Sequence, residues 1–289
     1  HLAVTATPWP GAVALYDAAQ DAGYALNRLI ERRAVVGVTQ GPLFRAAPGR
    51  WDNGAGVRVR LASGSLSAAA SDAVLNGANL AAIGNGNGDN WELFQFAEAV
   101  AVAPGEWELR RLLRGQAGSD GLIPDAWPVG SWFVLLDGAV GQINLPPGLR
   151  NIARHYRIGP AQRGYDDASY LHEVLAFAGV GLKPYAPCHL RAARNGAGDL
   201  SLSWVRRTRI DGDNWDLADV PLGEAFEAYA LRVMQAGALL REARVISPDW
   251  IYTAADQAAD GVAPPFDIEV AQISERFGPG HFARILING

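Results

Sequence analysis

The feature that most narrows the fold is a two-residue alternation of apolar and polar side chains that recurs through the last third of the chain. Leu200, Leu202 and Trp204 alternate with Ser201 and Ser203, the period of a strand with one buried face. Tyr229, Leu231 and Val233 alternate with Ala230, Arg232 and Met234, and Phe266, Ile268 and Val270 alternate with Asp267 and Glu269. Residues 184–194 and 282–288 each read as one further strand. Six or seven short strands in about a hundred residues, with one Trp early among them, predict a two-sheet sandwich. Its expected core is Leu200, Leu202, Trp204, Tyr229, Leu231, Val233, Phe266, Ile268 and Val270.

The order of these features resembles a fibronectin type III domain. There is a Trp on the second strand, a Tyr opening the third, and residues 274–280 follow the penultimate strand. Phe266 stands where many such domains carry a Tyr, so the usual hydroxyl bond is missing. Such sandwiches are spacers and adhesion modules more often than enzymes, and function has to be argued from a site.

The first half also reads as mainly β. Residues 12–16 form a strand before a turn at 21–23, and 34–39 form another that stops at Gly41 and Pro42. Val57, Val59 and Leu61 alternate with Arg58 and Arg60, a strand with one wet face. Residues 66–79 are Ala-rich and predict a helix, capped by Ser67 or Ser71 and ended by Gly77 and Asn79. Residues 80–83 and 91–96 flank a hairpin loop at 84–90, and 107–113 and 131–136 are further strands. Residues 139–145 are expected to complete another hairpin, 154–158 a strand, and 166–177 a short helical turn. A linker at 179–187, with Pro184 and Pro187, puts the boundary near Lys183. The expected organisation is a β-rich module with one helix over 1–183, with room for a subdivision near residue 65, and the sandwich over 184–289.

Composition excludes several classes. Apolar residues make up 49% and charged ones 19%, too apolar for disorder. The net charge of −5 argues against a direct grip on nucleic acid, with Arg206, Arg207 and Arg209 as one local cluster. The single cysteine, Cys188, excludes an internal disulfide and a Cys-based metal site. No apolar run reaches the ~18 residues of a membrane span, and no signal peptide is visible. A chain that starts at His1 and holds one Met reads as the C-terminal portion of something longer.

Several chemistry-bearing residues also have plainer roles open to them. Cys188 and His189 are adjacent, with His155 and His172 upstream. Neighbours on a strand point to opposite faces, so Cys188 and His189 cannot serve each other as nucleophile and base. Residues 84–90 and the stretch from Asp211 to Asn214 carry closely spaced oxygen ligands suited to calcium. Neither has the terminal Glu of an EF-hand loop, and Asn and Gly are also what positive-φ turns select. Asp166, Asp167 and Glu173 are the nearest carboxylate cluster for glycoside hydrolysis. Trp51, Trp91, Trp107, Trp127, Trp132, Trp204, Trp215 and Trp250 could include a sugar-stacking platform, with Trp215 and Trp250 the candidates for exposed contact. No catalytic, cofactor-binding or metal-ligating residue is assigned from the sequence, and no cofactor is expected.

Three strings carry a second resemblance. Leu75-Asn76-Gly77-Ala78-Asn79, Trp91-Glu92-Leu93-Phe94-Gln95-Phe96 and Leu113-Arg114-Gly115-Gln116-Ala117-Gly118-Ser119 come in that order. They resemble the tail-tip proteins of long-tailed phages, in the branch that includes the gene transfer agents of alphaproteobacteria. Residues 198–209, 220–222, 250–255, 278–280 and 287–289 fit the same branch, the C-terminal part of the baseplate megatron protein. Ser119 stands where relatives often have Thr. The resemblance implies a structural, non-enzymatic virion protein, arranged three-fold at the tail baseplate beside hub, distal tail and fibre proteins. It further implies action at the host cell surface, contact with a cell-surface glycan, and a role in opening a path for DNA. In that family a TIM-barrel-like domain and hub-type domains precede this region. Gly115 and Gly118 suit a tight turn with positive φ, and Arg114 suits pairing with a carboxylate or with carbonyls across it. The alternative is an accessory carbohydrate-binding and spacer region of a polysaccharide-degrading enzyme.

Overall fold

The computed structural model describes residues 1–86, 88–212, 214, 216 and 218–288. The chain divides into two units, His1–Val180 and Gly181–Gly289. Strands dominate both, as the alternation demands.

In the first unit, six antiparallel strands close on themselves. In order around the ring they are Glu106–Leu113, Val57–Leu61, Val36–Thr39, Trp132–Leu135, Leu80–Gly84 and Trp91–Ala103, with the last pairing back to the first. Closure depends on the long Trp91–Ala103 strand. Its first part pairs with Leu80–Gly84 and its remainder with Glu106–Leu113. Val57, Val59 and Leu61 face inward with Ile83, Phe94, Phe96, Leu109, Leu112 and Phe133. Arg58 and Arg60 face water, where they meet Glu108 and Glu106. Closing the sheet leaves the barrel without free edges, and its interior is filled by side chains.

The barrel is nested inside a second sheet. Its four antiparallel strands lie in the order Leu171–Leu175, Arg154–Pro160, Val13–Ala18, Ala25–Ile30. Two of them precede the barrel in sequence and two follow it. Val36 and Val134 are ladder partners, so the chain leaves the barrel beside the point where it came in.

Three expectations for this unit are corrected. The helix expected over 66–79 is only Ser71–Leu75, and neither Ser67 nor Ser71 caps it: Ala70 holds the cap position without a side-chain bond. Leu66 is buried in the barrel core and the Ala69 N–H bonds to the Ala97 carbonyl, which ties 66–70 to the barrel outside any helix. The helical turn expected over 166–177 is instead the edge strand Leu171–Leu175, because Arg154–Pro160 offers it a ladder. Residues 139–145 form no hairpin strand; Gly141 makes an isolated bridge to Leu2.

The second unit is a sandwich of fibronectin type III-like strand order. One sheet runs Cys188–Arg194, Leu200–Val205, Asp249–Tyr252, and the other joins Ala238–Val245, Tyr229–Gln235, Phe266–Ser274 and Ala283–Ile287. All nine expected core residues are buried together, joined by Tyr252 and Ile287. The Trp204 ring meets Tyr229 edge-on at 5.1 Å between centroids.

Candidate functional site

Two constellations in the first unit bring distant residues together. The first is a buried ion pair. Arg114, directly after Glu106–Leu113, and Glu92, second in Trp91–Ala103, are both fully buried. Arg114 Nε and Nη2 donate to the two oxygens of Glu92 at 2.6 and 2.8 Å, and Nη1 donates to the Phe44 carbonyl at 2.7 Å. Trp127 Nε1 donates to Glu92 Oε2 at 2.7 Å, and the Gly115 N–H reaches Glu92 Oε1 at 3.3 Å. Burying two charges costs several kcal/mol each, and the planar fork with extra donors is what offsets it.

The turn that follows fixes this node. Gly115 has φ +62°, and a Cβ there would lie 2.8 Å from the Asp120 backbone. Ser119 Oγ accepts from the Leu93 N–H at 2.8 Å and lies 2.8 Å from the Gln116 carbonyl. Of the two expected kinds of partner for Arg114, the carboxylate is found in Glu92, while the carbonyl it meets, that of Phe44, lies outside the turn. The 113–119 string thus closes the turn onto the 91–96 string.

The second constellation lies on the four-stranded sheet. His155 and His172 sit on adjacent strands, diagonal across the ladder in which His155 opposes Val174 and Arg157 opposes His172. Their rings are nearly parallel, with His155 Nδ1 3.0 Å from His172 Nε2. Asp21, from the turn after Val13–Ala18, places Oδ1 3.8 Å from His172 Nε2. Tyr24 OH and Arg157 Nη2 donate to that same Oδ1 at 2.5 and 2.9 Å. The Tyr24 hydroxyl, then Arg157, hold the Asp21 carboxyl down to about 2. Among the described residues this is the one group of three His, Cys, Asp or Glu side chains with converging ligand atoms. Sequence reasoning missed it, because only the strand register joins residues so far apart.

The other sequence candidates lie elsewhere. Asp167 sits in a tight turn, bonded by the Ser169 hydroxyl and N–H and by Arg163. The Ser169 hydroxyl, chiefly, holds its carboxyl down to about 2, the opposite of a general acid's raised value. Glu173 is exposed on the edge strand, opposite Tyr156. Cys188 is half-buried, and His189 has φ +54° at a bulge in the strand. Asn87 of the first expected calcium loop, Asp213 of the second, and Trp215 lie outside the described residues.

Trp250 is corrected: it stands within the strand Asp249–Tyr252, half-buried, stacked on Tyr252 at 5.0 Å and packed on the sandwich core. Among the other described tryptophans, Trp127 and Trp204 are buried and Trp132 is the exposed one. The arginine cluster is dispersed into pairs, Arg206 with Asp219 and Arg209 with Glu224. No helix among the described residues is long and apolar enough to cross a membrane.

Residues 34–134 match the family described as Rcc01698-like, C-terminal. No curated protein matches the chain. Among solved structures, the chain is similar to the rat CD45 extracellular region, domains d3-d4, at 10% identity and TM-score 0.28, over 53% of this chain and 72% of that one. It is similar to the FN5 domain of Drosophila Lar at 17% identity and TM-score 0.22, over 37% and 98%. For the chicken CNTN1 FN1-FN3 domains the values are 13% and 0.25, over 86% and 65%. At such TM-scores these likenesses carry no functional weight, and the sandwich rests on its own strand order. The family match spans the barrel from its first strand into its last, Val36–Thr39 to Trp132–Leu135, and contains the buried Glu92–Arg114 pair.

Proposed function

We propose that this chain is a structural component of a phage-like tail tip or baseplate, of the kind carried by gene transfer agents. Its work there is assembly, attachment of fibres or contact with the host surface, and delivery of DNA, without catalysis. The observation that carries this reading is the match of residues 34–134 to the Rcc01698-like family. That match includes the three strings that resemble tail-tip proteins.

The open sheet edge supports the reading. Among the described residues Leu171–Leu175 has one ladder partner, all five of its residues are exposed, and Leu171, Val174 and Leu175 are apolar. Such an edge is a template for pairing with another chain. The partners are the hub, distal tail and fibre proteins, with three copies of this chain per particle and a host glycan beyond them.

Electron microscopy of purified particles carrying a tagged chain tests the proposal. Three copies at the tail end are expected. Absence of the chain from particles would overturn it. So would depolymerisation of capsule or peptidoglycan by the purified chain, lost in Asp166→Asn, Asp167→Asn or Glu173→Gln.

A further inference from the structure

The geometry points to a binding site for one divalent transition-metal ion of the zinc class, held by His155 Nδ1, His172 Nε2 and the carboxylate of Asp21. The inference is independent of the tail-tip reading. Neutral imidazole is the commonest metal ligand, and two imidazoles with one carboxylate suit zinc and the neighbouring first-row ions. Metal–ligand bonds of 2.0–2.2 Å in a tetrahedron place donor atoms about 3.3 Å apart. Here the two nitrogens are 3.0 Å apart, the carboxylate oxygen is 3.8 Å from the nearer one, and all three lie within 4.8 Å of one another. An ion needs the nitrogens to part by a few tenths of an ångström and the Asp21 carboxylate to close by somewhat more.

The ladder supplies the preorganisation. The nitrogens converge because both histidines sit on one face of two paired strands, whose register is fixed through residues 154–158 and 171–175. The carboxylate is oriented by Tyr24 and Arg157, which donate to the same Oδ1 that faces His172, in the manner of the outer partners that orient metal ligands. Asp21 and His172 are exposed and His155 is half-buried, so an ion reaches the site from solvent. Arg157 is a nearby cation and weakens the site relative to a purely acidic one. The remaining coordination positions face outward, open to water or to a donor atom from a neighbouring molecule. Once bound, the ion ties the turn after Val13–Ala18 to the edge strand Leu171–Leu175.

Titration of the full chain with zinc chloride by calorimetry, with cobalt(II) as a spectroscopic substitute, tests the assignment. One ion per chain is expected, with a raised melting temperature for the first unit. His155→Ala and His172→Ala should each weaken binding beyond the 10–100-fold that loss of an outer partner costs. Asp21→Asn should weaken it less, and His189→Ala and His281→Ala should leave it unchanged. A His155→Gln variant of unchanged circular dichroism separates ligand loss from misfolding. Binding weaker than about 1 mM would overturn the proposal. Undiminished binding by the His155→Ala/His172→Ala double variant would also do so, placing the ion elsewhere, for example at His1.

Discussion

Replacing Arg114 by Met tests whether the Glu92–Arg114 pair holds the barrel together. The substitution keeps an unbranched side chain of similar reach but removes three donors, two to Glu92 and one to the Phe44 carbonyl. Glu92 stays fully buried with only the Trp127 and Gly115 N–H groups. Stranding one buried partner in this way costs ~3–5 kcal/mol. For a unit of this size each kcal/mol lowers the melting temperature by ~2–4 °C, so the transition should fall by about 6–20 °C. Glu92→Leu should cost a similar amount. Exchanging a whole buried pair for apolar groups is often neutral, so the double variant should be far less damaged than the sum of the two. What the double variant retains is three groups that lose their partner, the Trp127 and Gly115 N–H and the Phe44 carbonyl, at ~1–3 kcal/mol for each that stays buried and unpaired. Urea unfolding of the four proteins in this cycle, followed by tryptophan fluorescence, gives the coupling energy directly. Single costs under about 1 kcal/mol, or additivity within ~0.5 kcal/mol, would refute the reasoning.

Three further outcomes are expected. Trp204→Ala should cost ~3–5 kcal/mol in the second unit, and a negligible shift in its thermal transition would mean that the ring is not core. Limited proteolysis should cut within 179–187 before it cuts Leu200–Val205, because linkers without ladder bonds open first; a single resistant core across that stretch would contradict this. Stability should also depend on pH at both ends. The Arg241 guanidinium, chiefly, holds the Asp260 carboxyl below its usual value. That stabilisation is complete above the unfolded value of about 3.9 and is lost as pH falls through the lower folded value. Burial, with Asp260 adding, pushes the Tyr252 hydroxyl up, a contribution present below the unfolded value of about 10 and lost as pH rises above it. Asp260→Asn should flatten the acid side of the stability curve in equilibrium unfolding from pH 2 to 6, and an unchanged acid limb would count against the Arg241 pairing.

The sequence was legible where one face of a strand is wet. Val57–Leu61 reads correctly because Arg58 and Arg60 interrupt the apolar run, and the sandwich core reads correctly for the same reason. It was illegible where tertiary pairing decides the local structure. Ala-rich 66–75 has helical propensity, yet the burial of Leu66 and the bond from Ala69 to Ala97 leave only Ser71–Leu75 helical. Leu171–Leu175 shows no alternation because it has no buried face, so nothing in its sequence separates it from a loop. Trp250 looked exposed beside turn-like residues, but a three-stranded ladder lays it on Tyr252. The candidate sites divide the same way. Arg114 beside its tight turn suited a carboxylate or carbonyls across the turn, but its sequence did not choose between them or name Glu92, and the approach of His155 to His172 exists only through register.

The nesting of the barrel within the four-stranded sheet bears on the order in which the chain folds. Val13–Ala18 pairs with Arg154–Pro160, a long-range closure that an unfolded chain must make across the whole intervening sequence. Once the barrel forms, Val36 and Val134 are neighbours, and the span to be closed shrinks to the connections on either side of it. Loop-closure entropy grows as the logarithm of length, so this shortcut lowers the cost of closing the sheet by about 1 kcal/mol. Barrel first and sheet second is therefore the cheaper route: the histidine pair forms within the local ladder of Arg154–Pro160 and Leu171–Leu175, and Asp21 joins it only in the second step.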